Sequence, residues 1–170
     1  DIGCGALRGG IHFIKYLNDG NYTGIDGNES LIRAGNLEIV KAGLQAKKRK
    51  LIIDKEFNYL IWGGSFHFIL SISLFTHLPI PLIENCISSV AEVMEPAGAF
   101  YFSFFLCSEN EYERDVIQNN SGLQTHANKD PYHQTMKQFQ TIAEKNNLKF
   151  NFIGEWGHPR NQKIASLTHE

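Results

Sequence analysis

Asp1-Ile2-Gly3-Cys4-Gly5, continuing through Ala6-Leu7-Arg8 to Gly9-Gly10, decides how this chain folds. An acidic residue closing a short apolar run, then two glycines one residue apart, then a helical pattern, lets backbone N–H groups approach a ligand without Cβ obstruction. A short glycine pattern alone is weak evidence, and a turn that merely happens to be glycine-rich is the plain alternative. The dinucleotide fingerprint requires a third glycine at position 8, where Arg8 stands, which weakens a pyrophosphate-binding reading.

The next segment outward is Tyr22-Thr23-Gly24-Ile25-Asp26, which places a carboxylate at the end of the second strand. A ribose 2′- and 3′-hydroxyl pair can donate to a carboxylate in that position. Taken alone, Asp26 reads equally well as a helix cap or turn aspartate. With Gly3 and Gly5 in register on the same βαβ unit, ligand binding is the better reading.

Beyond this unit, short apolar runs rich in β-branched and aromatic residues alternate with stretches of helical period, which predicts an α/β fold. Strands are expected at 1–2 (a stub), 22–25, 50–53, 67–73, 99–105, 149–153 and 162–167. Helices are expected at 8–17, 29–42, 82–94 and 133–146. In the third helix Ile83, Ile87, Val90 and Met94 recur at helical spacing, so one face packs on a sheet. Pro96-Ala97-Gly98 punctuates the step from that helix to the next strand. Residues 108–131 are polar and weakly periodic, with Asn119-Asn120-Ser121-Gly122 as a turn signal. Such a long insertion marks a candidate substrate-side lid.

The chain's 170 residues, 42% of them hydrophobic, suit a single domain over 1–170. A net charge of -2 gives no basic field, so nucleic acid is not an expected partner and a small molecule or protein fits better. The 3 cysteines include no Cys-x-x-Cys pair, which speaks against a disulfide framework and points to a reducing, cytoplasmic setting. The 7 histidines show no ligand spacing, so no metal is expected. The apolar run 66–75 falls short of the roughly 20 residues of a membrane span and reads as a buried strand. The sequence opens inside a motif, so the first strand is expected to be truncated.

Four segments together carry a family resemblance: Asp1 to Gly5, Tyr22 to Asp26, the run from Phe66 to Leu78, and Met94-Glu95-Pro96-Ala97-Gly98-Ala99-Phe100. In this order they resemble the motifs of class I S-adenosylmethionine-dependent methyltransferases. Trp156 to Lys163 is similar to the turn before the last strand in a bacterial subgroup of these proteins. The resemblance implies a Rossmann-like three-layer α/β/α sandwich with a mostly parallel sheet and an antiparallel last strand. It implies S-adenosylmethionine as cofactor and a small-molecule or glycan acceptor.

The site roles it implies are specific. Gly3 to Gly5 would pass beneath the methionine part of the cofactor, with Asp1 reaching the amino group. Asp26 would hold the ribose hydroxyls, Asp54 would lie near the adenine amino group with Lys55 beside it, and the Ser71 backbone would lie against the methionine end. His77 matches a histidine found just beyond that strand, and His67 stands where the family usually has an aspartate.

Methyl transfer from a sulfonium is a displacement on an activated donor, so positioning dominates and a base helps when the acceptor is a hydroxyl or amine. The candidate bases are His77 and His133, with His12 and His158 behind them. For His77 the alternative is a histidine satisfied by packing, and for His133 a surface residue starting a helix. A noncatalytic cofactor-binding relative is the alternative at the level of the whole protein. An NAD-linked oxidoreductase is a third reading, disfavoured by Arg8.

Overall fold

The computed structural model describes residues 1–119 and 121–169, which form two compact units, 1–63 and 64–170.

In the first unit α1 (Gly10–Tyr16) leads to β1 (Thr23–Asp26), α2 (Glu29–Lys41), β2 (Lys50–Ile53) and the short α3 (Tyr59–Trp62). β1 and β2 pair in parallel from Thr23↔Lys50 to Asp26↔Ile53. The expected stub is present as a parallel bridge of Ile2 to Ile25 on the other side of β1, with Ile25 N donating to the Asp1 carbonyl at 2.9 Å. Cys4, Leu7, Ile14, Tyr22, Ile32 and Ile39 form the core. A Cβ on Gly10 would run into the Tyr22 hydroxyl and stand 2.7 Å from Leu7 Cδ2, so a glycine at this position is what lets α1 pack on the strand. Asn28 caps α2 by accepting from Ser30 N at 3.0 Å.

The second unit contains β3 (Phe66–Ser71), α4 (Ile80–Val93), β4 (Met94–Leu106), β5 (Val116–Gln118), β6 (Leu123–Thr125), β7 (His133–Gln134), α5 (Met136–Lys145), β8 (Leu148–Gly154) and β9 (Lys163–His169). Its sheet runs β3-β4-β9-β8, with β7 added on β4. β3 is parallel to β4, while β9 is antiparallel to both β4 and β8. The carboxyl ends of β3, β4 and β8 therefore share one edge, and the loops that follow these three strands leave from it. Phe100, Phe102 and Phe104 alternate along β4 onto one face; Phe102 and Phe104 meet Phe139 of α5, with the Phe102 and Phe139 centroids 4.8 Å apart, and Phe100 meets Phe75 and Phe102. Phe75 and Phe150 extend this aromatic core.

Three sequence expectations need correction. The helix expected at 133–146 begins only at Met136, because Thr135 caps it with Gln138 in a reciprocal capping box; His133 is a strand residue. Pro96-Ala97-Gly98 lies inside β4 instead of before it, in a bulge where pairing steps from Phe66↔Met94 to Phe68↔Ala99. Proline is tolerated there because a bulge needs no ladder donor. The run 66–75 is only partly buried: Ile69, Ser71 and Phe75 are buried, but Phe68 is 79% exposed.

The polar segment 108–131 holds a small antiparallel hairpin, β5 on β6. Of the turn expected at its tip, Asn120 lies outside the described residues. Among the described residues no helix is long and apolar enough to cross a membrane.

Candidate functional site

In the first unit the glycine turn is held from beneath. Gly3 and Gly5 have φ of +73° and +54°, the left-handed region glycine enters without a Cβ penalty. The Ile25 carbonyl accepts from Gly3 N at 2.8 Å and from Cys4 N at 3.0 Å. Asp26 Oδ2 accepts from Gly5 N at 2.9 Å, and Oδ1 accepts from Asn28 N at 2.8 Å. Each oxygen is left with acceptor capacity, and the residue is half-buried. A Cβ placed on Gly5 would meet nothing within 4 Å, so the turn faces open space. A half-buried carboxylate with spare lone pairs beside an open glycine turn suits a ligand that presents vicinal hydroxyls.

Around this turn the other ionisable groups are quiet. Burial, reinforced by the Asp26 charge, pushes the Cys4 thiol up to about 11, so it stays protonated at neutral pH. Burial also pushes the Tyr22 hydroxyl up, and that hydroxyl donates to Asp1 Oδ2 at 2.8 Å. Asp1 is thereby fastened to Tyr22 through its side chain and to β1 through its carbonyl.

Asp54 is used differently from what the sequence suggests. It is buried, with Oδ1 accepting from Glu56 N at 2.9 Å and Oδ2 from Asn58 N at 2.8 Å and Trp62 Nε1 at 2.7 Å. Its carboxylate folds the loop after β2. The loop it folds comes close to the glycine that follows Asp26: a Cβ on Gly27 would sit 3.0 Å from Lys55 Cγ and 3.5 Å from the Asp54 carbonyl oxygen.

In the second unit, Ser71 ends β3 fully buried, and its hydroxyl has no partner among the described residues. The chain then turns through Ser73, whose φ is +63°. Ser73 N donates to Ser103 Oγ at 2.7 Å, and the Ser73 and Ser103 hydroxyls both donate to Gln162 Oε1, at 3.0 and 2.6 Å. Trp156 Nε1 donates to the Gln162 carbonyl at 2.8 Å. This network pins the loop after β8 to the turn after β3.

His77 stands one short helical turn further on, with Nδ1 at 2.8 and 3.0 Å from the two Asp130 oxygens. Tyr132 N donates to the Thr76 carbonyl at 2.8 Å beside it.

His133, expected as a second candidate base, is buried: Nε2–H donates to the Tyr112 carbonyl at 2.8 Å and Nδ1 meets the Thr125 hydroxyl at 3.0 Å. Both ring nitrogens are engaged in tying the hairpin to β7. His12 lies exposed on α1. His158 stacks on Trp156 with centroids 5.2 Å apart, and burial followed by the Arg160 charge lowers its pKa.

Sequence reasoning missed Ser103, Gln162 and Asp130. Gln162 lies in the quoted run ending at Lys163 and Asp130 just before Pro131, but only tertiary pairing distinguishes them from ordinary polar loop residues.

Parallel βα units with a glycine turn and an acidic strand end define a Rossmann-like α/β protein of the nucleoside-binding kind. Residues 1–98, reaching into both units, match the family model described as a methyltransferase domain, and the chain belongs to that family. Among solved structures it is similar to magnesium protoporphyrin IX methyltransferase from Synechocystis PCC 6803 with bound SAH, at 14% identity and a TM-score of 0.73, covering 100% of this chain and 72% of that one. A methyltransferase from Clostridium acetobutylicum aligns at 10% identity and TM-score 0.72, with 99% of this chain and 82% of that one covered. A putative O-methyltransferase from Nostoc punctiforme aligns at 14% identity and TM-score 0.73, where 98% of this chain spans about half, 49%, of the other. The class I resemblance and the Rossmann-like fold expected from sequence are borne out.

Proposed function

We propose that this protein transfers a methyl group from S-adenosylmethionine to an oxygen or nitrogen of a small-molecule or glycan acceptor. The observation that carries the cofactor reading is the Gly3–Gly5 turn, bonded through Gly5 N to Asp26 and facing open space. When bound, S-adenosylmethionine supplies an activated methyl group, so the protein's task is to bind, orient and exclude water. Asp26 receives the ribose hydroxyls on its spare lone pairs, and the Gly3–Gly5 backbone passes beneath the methionine part, with Asp1 serving its amino group. Asp54 acts by shaping the loop that carries Lys55, whose backbone serves the adenine side. The backbone at the Ser71 end of β3 serves the methionine end. His77 is the proton acceptor for the incoming hydroxyl or amine, and the segment 108–131 is the acceptor-side lid.

Calorimetric titration with S-adenosylmethionine and S-adenosylhomocysteine tests the cofactor step, and methyl release from tritium-labelled cofactor to acceptor pools tests the chemistry. Saturable heat with both ligands is expected, followed by label in a small polar product. Absence of heat at high micromolar ligand removes the proposal. Binding without transfer to any pool replaces it with a cofactor-binding module.

A further inference from the structure

We infer that Asp130 is a positioning residue for catalysis: it fixes the tautomer and aim of His77 so that Nε2 is the proton-accepting atom. This rests on the methyltransferase reading above and adds to it a residue that neither the fold nor the family match assigns. The Asp130 oxygens lie 2.8 and 3.0 Å from Nδ1, so the carboxylate, an acceptor only, holds the proton on Nδ1. The lone pair of the neutral ring is then on Nε2, which has no hydrogen bond among the described residues.

Comparison with the other histidines of the same region singles this pair out. His133 is buried with both nitrogens engaged, and His126 is buried with Nδ1 2.6 Å from Asp115. Those rings hold the hairpin. His77 and Asp130 each keep 55% of their side-chain surface exposed, a setting in which an ion pair adds little to stability. His77 also leaves from the carboxyl end of β3, the edge where ligands bind in open α/β sheets. Asp130 comes from the end of the candidate lid, close to Tyr132, whose N–H donates to the Thr76 carbonyl at 2.8 Å and holds this stretch beside His77.

In the step this geometry serves, the acceptor's O–H or N–H proton passes to His77 Nε2. The acceptor's electron pair forms the bond to the methyl carbon, and the methyl–sulfur bond breaks with its pair remaining on sulfur, leaving a neutral thioether and an imidazolium. The imidazolium returns its proton to solvent.

The test uses the whole chain and the variants Asp130→Asn and Asp130→Glu. Nitrogen-15 spectra of the imidazoles, recorded without cofactor, should show His77 protonated on Nδ1 and unprotonated on Nε2. In Asp130→Asn that preference should be lost. With tritium-labelled S-adenosylmethionine and phenol, methyl glucoside and a primary alkylamine as acceptor probes, Asp130→Asn should lower kcat by about tenfold or more. The cofactor KM should be unchanged, and Asp130→Glu should restore part of the rate. A wild-type His77 carrying its proton on Nε2 overturns the inference, as does an unchanged kcat in Asp130→Asn, or cofactor heat with no transfer to any probe. Absence of cofactor heat in calorimetry is a separate failure, that of the methyltransferase reading, and leaves the tautomer measurement standing.

Discussion

Replacing Asp26 with asparagine removes the negative charge at the end of β1 while keeping its shape. In the native protein Oδ2 accepts from Gly5 N at 2.9 Å and Oδ1 from Asn28 N at 2.8 Å, so the carboxylate supports the turn and offers its remaining lone pairs to a ribose. Asparagine keeps one acceptor oxygen, and its amide group faces one of those two N–H donors with a donor of its own. Leaving one backbone N–H unsatisfied costs about 1–3 kcal/mol, and losing the charge-assisted bonds to ribose hydroxyls costs about 1.5–3 kcal/mol of affinity. The second figure corresponds to a dissociation constant raised roughly 10- to 150-fold. Calorimetric titration with S-adenosylhomocysteine, at a temperature where thermal melts show both proteins fully folded, separates this loss from unfolding. A dissociation constant within twofold of wild type refutes the ribose role of Asp26 and restricts it to supporting the glycine turn.

Gly10→Ala forces a methyl group into the Tyr22 hydroxyl and Leu7, and should cost about 1–3 kcal/mol in a denaturant melt while leaving the exposed surface unchanged. Phe102→Ala empties the centre of the aromatic core beside Phe75, Phe104 and Phe139, and should cost about 3–5 kcal/mol by the same measurement. The Asp115 carboxyl is held below its ordinary value first by the His126 hydrogen bond. Its contribution to the hairpin is therefore complete above the unfolded value, near 3.8, and is lost as pH falls through the lower folded value. Amide shifts of β5 and β6 followed from pH 5 to 2 should reveal this loss, and Asp115→Asn should abolish that pH dependence.

What the sequence made legible was local. Gly3, Gly5 and Asp26 announced themselves because a tight turn, a backbone approach and a strand end are all encoded within a few residues. Of the second unit's strands β3, β4, β8 and β9 were readable, β4 most plainly because Phe100, Phe102 and Phe104 alternate with the period of the element they build, whereas β5, β6 and β7 were not expected. Where folded surroundings decide a side chain's partners, the sequence pattern alone was not enough. Asp54 looks like an open acidic strand end, yet its carboxylate accepts from three N–H donors, of residues 56, 58 and 62, and folds the loop after β2. His133 looks like the start of a helix, yet the Thr135–Gln138 capping box starts that helix later and leaves the histidine to pair with β4. Pro96 looks like a stop, yet a bulge accommodates it. Asp130 gave no signal at all, because its partner is 53 positions away.

The most direct test of the central claim is a nitrogen–proton correlation titration of the protein with S-adenosylhomocysteine, following every backbone amide. The account predicts saturable shifts centred on Gly3, Gly5 and Gly27, the amides of the turn and of the residue after Asp26. An unchanged spectrum at high micromolar ligand, or saturable shifts that leave those glycines still, contradicts it.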